Sequence, residues 1–158
     1  MNGQTLTITT PTDREVVLTR VFDAEPGLVF DALTRPELLK LWYGPAGWSF
    51  AICEIDLKVG GRWRFVSRRP DGKEIGQIGV YREIVPGKRL VNTESWEDWD
   101  AGETLVTTVL TGHAGKTMYE STILFPSQEV RDTVLKSGLE HGATEAYDKL
   151  ADVLASFA

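Results

Sequence analysis

The chain has 158 residues, 42% of them hydrophobic and 25% charged, with 17 Lys plus Arg against 23 Asp plus Glu for a net charge of -6. This length suits one domain that buries a core without covalent staples, and a single cysteine excludes an intrachain disulfide. No apolar run approaches the roughly 20 residues of a membrane helix, and a net negative chain repels a phosphate backbone unless its basic residues cluster, so neither membrane insertion nor nucleic-acid binding is expected.

Residues 1–13 are polar and Thr-rich, without the basic start and apolar stretch of a signal peptide. They read as a flexible tail ahead of one domain over 14–158, and a cytoplasmic location is the default expectation. Arg14 to Phe22 reads as a strand, rich in Val and Leu and free of breakers. Asp23 ahead of Pro26, with Leu28, Val29, Ala32 and Leu33 at helical spacing, predicts a capped first helix. Pro36 starts a second short helix through Leu38, Leu39, Leu41 and Trp42, stopped by Gly44, Pro45 and Gly47.

From Trp48 to Phe125 the period changes to two. Ala51, Cys53, Ile55 and Leu57 alternate with polar positions, which predicts a buried Cys53 that serves as a small hydrophobe. Turns at Gly60-Gly61, Pro70-Asp71-Gly72, Pro86-Gly87, the acidic stretch Glu97 to Gly102, and Gly112 to Gly115 divide this region into a meander of about six strands. Ser127 ahead of Glu129 marks another helix start, Gly138 breaks that helix, and Leu139 to Phe157 reads as one long helix with Ala143, Ala146, Leu150, Val153, Leu154 and Phe157 on one stripe. The order strand, two short helices, six strands and a long helix predicts an α+β fold. Its curved antiparallel sheet of about seven strands wraps the terminal helix, because the first strand needs the later sheet and the helix stripe needs a concave face.

Chemistry-bearing motifs are sparse. No His-Glu-x-x-His, paired-Cys or Gly-x-Ser-x-Gly signature occurs. Catalytic residues, metal ligands and cofactors are therefore expected to be none. Gly115-Lys116-Thr117 imitates the end of a phosphate-binding loop, but Leu110 stands where that loop needs glycine, so a hairpin turn is the reading. His113 and His141 do not converge. Lys58, Arg62, Arg64, Arg68 and Arg69 read as a solvated face paired with acids, and Glu94, Glu97, Asp98, Asp100 and Glu103 around Trp96 and Trp99 as a solvated hairpin with aromatic anchors.

Several separated motifs occur together: Trp42-Tyr43-Gly44-Pro45, Val59-Gly60-Gly61-Arg62-Trp63-Arg64, Gly79 to Pro86 followed by Arg89-Leu90-Val91, Phe125-Pro126-Ser127 through Asp132, and Gly138-Leu139-Glu140-His141-Gly142 to Leu150. In this order they resemble the heat-shock-protein-90 ATPase activator homologue family, within the START-like (SRPBCC, birch-pollen-allergen-like) superfamily. The resemblance runs from about Val16 to Leu154 and implies the helix-grip fold. It also implies a stand-alone small-molecule binder, since the co-chaperone carries a further domain ahead of this one.

The resemblance implies a cavity between sheet and terminal helix. Its candidate lining is the aromatic set Trp42, Tyr43, Trp48, Trp63, Phe65, Tyr81, Trp96 and Tyr119, with Gly142, Ala143, Ala146 and Tyr147 from the helix. The first half of the helix stripe is small and the second half bulky, so space is expected opposite the first half, bounded by Tyr147, with Trp42, Tyr43 and Trp48 at the entrance. The leading expectation is a binder of a small apolar or amphipathic molecule. A cyclase- or hydrolase-type enzyme needs a titratable residue in the cavity, for which Glu83, Glu94, Tyr81 and Tyr119 are the candidates. A co-chaperone-like interaction module is the third reading, and apolar residues on both strand faces permit a homodimer.

Overall fold

The computed structural model describes residues 5–157. The elements are β1 (Thr7–Thr9), β2 (Glu15–Phe22), α1 (Pro26–Thr34), α2 (Pro36–Trp42), β3 (Ser49–Ile55), β4 (Arg62–Arg68), β5 (Glu74–Val85), β6 (Arg89–Trp96), β7 (Trp99–His113), β8 (Lys116–Leu124), α3 (Gln128–Lys136) and α4 (Leu139–Ala155). The eight strands form one antiparallel sheet in the order β1-β2-β8-β7-β6-β5-β4-β3. Chain neighbours pair throughout the meander, and β2 closes against β8 with Val16 opposite Ile123 and Phe22 opposite Thr117. This is the α+β helix-grip architecture.

The sheet has eight strands where seven were expected, because part of the tail is structured. Thr7–Thr9 pairs with Val17–Thr19 and uses the β2 edge that would otherwise present free backbone donors and acceptors. Residues 1–4 of the expected tail lie outside the described residues.

Local chemistry accounts for most boundaries. Ser127 caps α3, its Oγ accepting from Val130 N at 3.1 Å. Gly138 links α3 to α4 at φ 96°, a left-handed conformation that glycine adopts without a Cβ clash. The first helix departs from the expected cap. Glu25, not Asp23, holds the cap position and makes no side-chain cap bond, because Pro26 at the first turn leaves one donor fewer to satisfy. The β6–β7 turn is tighter than the acidic stretch suggested. Trp96 pairs with Trp99, their rings 5.3 Å apart, and residues 99–102 extend β7.

The core lies between the concave sheet face and α1, α2 and α4. Val16, Leu18 and Phe22 of β2 share one buried cluster with Leu150 and Leu154 of α4, all nearly inaccessible. Trp42 Nε1 donates to Ala32 O at 2.9 Å, which locks α2 against α1. Three positions differ from the alternation read in the sequence, among them Leu57, which follows β3 and is 41% exposed. A bulge between Phe50 and Ile52 puts Phe50 rather than Ala51 on the core side, and Cys53 is only partly buried. Phe157, expected on the helix stripe, follows the end of α4 and is 51% exposed.

Arg20 was not singled out by any pattern. It is 3% exposed on the core side of β2, its guanidinium donating to Asp148 Oδ1 on α4 at 2.6 Å and lying over the Phe22 ring. The pair ties the sheet to the helix. Most of the basic cluster is paired: Lys58 with Asp56, Arg64 with Glu97, Arg68 with Glu74 and, after β4, Arg69 with Asp71.

Candidate functional site

A cavity of about 450 Å³ opens between the concave sheet face and α4. Its wall from α4 is Leu139, Gly142, Ala143, Ala146 and Tyr147, with nothing beyond Tyr147. The second half of the helix seats Leu150 and Leu154 in the core, and their bulk holds the stiff helix off the sheet where the smaller residues stand. Trp42, Tyr43 and Trp48 line the cavity from α2 and the loop after it. That loop is tied to α4 through Lys149 Nζ donating to Pro45 O and Ala46 N donating to Glu145 Oε1, each at 3.4 Å. Burial of Lys149 lowers its pKa.

All twelve residues singled out in the sequence border this one space. Trp63 and Phe65 come from β4, Tyr81 from β5, Trp96 from β6 and Tyr119 from β8. Strand periodicity places them, since side chains two apart share a face. The rings pack on one another: Tyr43 stacks on Phe50 at 5.2 Å and Trp42 on Tyr147 at 5.7 Å. Trp63 folds over Gly79, where a Cβ would stand 1.9 Å from Thr93 O and 2.4 Å from Trp63 Nε1. Gly79 is the gap into which the indole fits.

The sheet side of the cavity carries Gln77, Asn92, Thr108 and Ser121, which the sequence reading did not place there, and Glu94, which it offered as a candidate. Tyr43 Oη donates to Gln77 Oε1 at 3.3 Å. Tyr119 and Tyr147 share a hydrogen bond between hydroxyls at 2.5 Å, and Thr108 Oγ1 donates to Ser121 Oγ at 3.3 Å. Burial raises the pKa of Tyr43, Tyr81, Tyr119 and Tyr147, so they remain neutral donors and acceptors. For Tyr147, burial and the neighbouring Tyr119 act in the same direction.

Glu94 is the one charged side chain in the lining among the described residues. It is half-buried, and burial alone pushes its carboxyl up from 4.5 to about 7. This corrects its place in the solvated acidic hairpin: Glu94 points inward, while Glu97 lies outside, held by Arg64 at 3.1 Å. β6 carries Leu90, Asn92, Glu94 and Trp96 on the cavity face, a parity that could have been read from Leu90 and Trp96. The opposite face, with Val91 and Thr93, is equally buried, which masks that signal in the composition of the strand.

The other candidates separate. Glu83 lies outside the cavity and pairs with Arg89 at 3.1 Å, because a bulge between Tyr81 and Glu83 breaks the alternation. His141 is exposed beside Glu145. Burial pushes the Cys53 thiol up to about 11, away from thiolate chemistry. Gly115 occupies the β7–β8 hairpin, with Ala114 and Gly115 both at positive φ, and Thr117 Oγ1 donates to Ala24 O at 2.7 Å; no phosphate loop forms. Among the described residues, no group of three or more His, Cys, Asp or Glu stands close enough to hold a metal ion, and no helix is long and apolar enough to cross a membrane.

Comparison with known proteins agrees with this architecture. A crystal structure of a protein from Rhodobacter sphaeroides superposes with a TM-score of 0.90 at 32% identity, covering 96% of this chain and 99% of that one. A protein from Nitrosomonas europaea gives 0.84 at 24% identity, covering 94% and 98%. The AHSA1 protein of Silicibacter pomeroyi gives 0.73 at 22% identity, covering 91% and 99%; at such identities the likeness shows the fold. No curated protein matches the chain. The family described as "Activator of Hsp90 ATPase homolog 1-like protein" matches residues 23–155, and the chain belongs to that family.

Proposed function

We propose that this protein binds a small apolar or amphipathic molecule in the cavity between its sheet and α4. Family membership supports a ligand-binding or co-chaperone-like domain. The observation that favours binding is the composition of the cavity wall: aromatic and aliphatic side chains over most of its area, with a few polar groups gathered on the sheet side. Such a wall desolvates an apolar body and orients it through a small number of hydrogen bonds.

The test is titration with the neutral fluorophore N-phenylnaphthylamine, in the wild type and in Ala143→Trp. Saturable binding that the Trp variant abolishes supports the reading. Binding that the variant leaves intact, or no saturable binding at all, overturns it.

Glu94 also favours a second reading, an enzyme of the cyclase or hydrolase kind. A carboxyl titrating near neutral pH beside an apolar cavity can take up or release a proton from a bound molecule. Turnover of a generic aryl ester that Glu94→Gln removes is the expected result for that reading, and equal turnover by both proteins refutes it.

A further inference from the structure

Resting on the ligand-binding reading, we infer that the cavity takes a monocationic amine: an apolar, ring-bearing body with one protonated nitrogen that pairs with the Glu94 carboxylate. Three observations lead there. Glu94 faces the space, and among the described residues the lining contains no Lys, Arg or His to neutralise it. The basic groups nearby are engaged elsewhere, Arg20 with Asp148 and Lys149 with Pro45 O. Much of the wall is aromatic, including Trp42, Tyr43, Trp96 and Tyr147, and ring faces attract a cation.

The charge pattern discriminates between ligand classes. A carboxylate or phosphate ligand would bring a second negative charge to a wall with no cation. A neutral donor hydrogen-bonds the Glu94 carboxylate but brings no opposite charge to it. An ammonium brings the opposite charge together with the hydrogen bond, and leaves its remaining surface against the rings.

Burial is the one cause of the raised Glu94 pKa, with neither a cation nor a donor offsetting it. Among the described residues the acid therefore lacks a partner for its ionised form, and the ligand supplies one. The titratable groups that share the cavity are Tyr43, Tyr81, Tyr119 and Tyr147. All four have pKa values raised by burial, so they stay neutral through the range in which Glu94 titrates.

Three probes with one apolar body test this: naphthylmethylamine, naphthylmethanol and naphthoate, titrated calorimetrically into the intact chain. At about pH 8, above the Glu94 value of about 7, the amine is expected to bind about tenfold tighter than the alcohol, with naphthoate weakest. At about pH 5 the protein has taken up the proton while the amine keeps its charge, and the preference is expected to vanish. Glu94→Gln, checked as folded by a thermal melt, is expected to remove the preference at both pH values; the pH series on the wild type tests the same point independently of that variant.

Equal affinities for amine and alcohol at about pH 8, or tightest binding of naphthoate, overturn the cation assignment and leave the ligand-binding reading standing. If none of the three binds while N-phenylnaphthylamine does, the cation assignment again falls alone. If that fluorophore also fails to bind, both fall together.

Discussion

Replacing Glu94 by Gln removes an ionisable group from the cavity wall while keeping its shape, so its effect on stability is set by pH. In the folded protein the carboxyl titrates at about 7 against an ordinary 4.5. The folded state thus holds a proton that the unfolded chain has already lost between those values. Stability from this group is full below 4.5 and is lost as pH rises through about 7. At about 1.36 kcal/mol per pH unit, the interval sets a ceiling of about 3 kcal/mol. Water reaching the cavity lowers it, so about 2 kcal/mol is the working expectation.

The assay is a series of urea melts of both proteins from about pH 4 to about pH 8. Glu94→Gln should match the wild type at the acid end, gain stability relative to it as pH rises, and hold a constant advantage above neutrality. The absence of a pH-dependent gap refutes the reasoning. So does a wild type that gains on the variant as pH rises, since either result means the ionised carboxylate already has a partner in the folded state.

Ala143→Trp should cost less than about 1 kcal/mol in a denaturant melt, because the side chain enters existing space; a loss of about 1–3 kcal/mol or more, the range of an overpacked core, means that Ala143 is in tight contact with the sheet. Gly79→Ala should destabilise by about 3 kcal/mol, since its Cβ would meet the Thr93 carbonyl at 1.9 Å. Gly76→Ala should cost much less, its nearest obstacle being the movable end of Glu97 at 2.0 Å; equal melts for the two glycine variants refute the distinction. Arg20→Met should be near neutral, whereas Asp148→Ala should cost about 1–3 kcal/mol by leaving a buried guanidinium without its acceptor. The reverse order in thermal melts would show that Arg20 contributes through packing rather than through the pair.

Element types and their order were legible in the sequence because their causes are local. Ser127 and Gly138 mark helix ends through their own backbone and side-chain chemistry. Gly72 and Gly115 mark hairpin turns in the same way, and alternating residues mark strands. The contrast between Gly142, Ala143 and Ala146 and the bulky Leu150 and Leu154 likewise needs only helical geometry to suggest uneven spacing. Even the aromatic lining was legible, since ring-bearing residues at strand period have few places to go but inward.

Tertiary structure decided which face of each element counts. The bulge at Phe50–Ile52 reverses the parity of β3, and that at Tyr81–Glu83 sends Glu83 outward; neither has a local signature here. β6 is buried on both faces, so the composition of the strand leaves the face of Glu94 open and the curvature of the sheet turns it to the cavity. Arg20 and Asp148 are 128 residues apart in the chain and meet because α4 lies in the grip of the sheet. Thr7–Thr9 becomes a strand because the edge of β2 is there to receive it. Local rules act over a few residues, whereas the position of a charge relative to a cavity depends on contacts made across the entire chain.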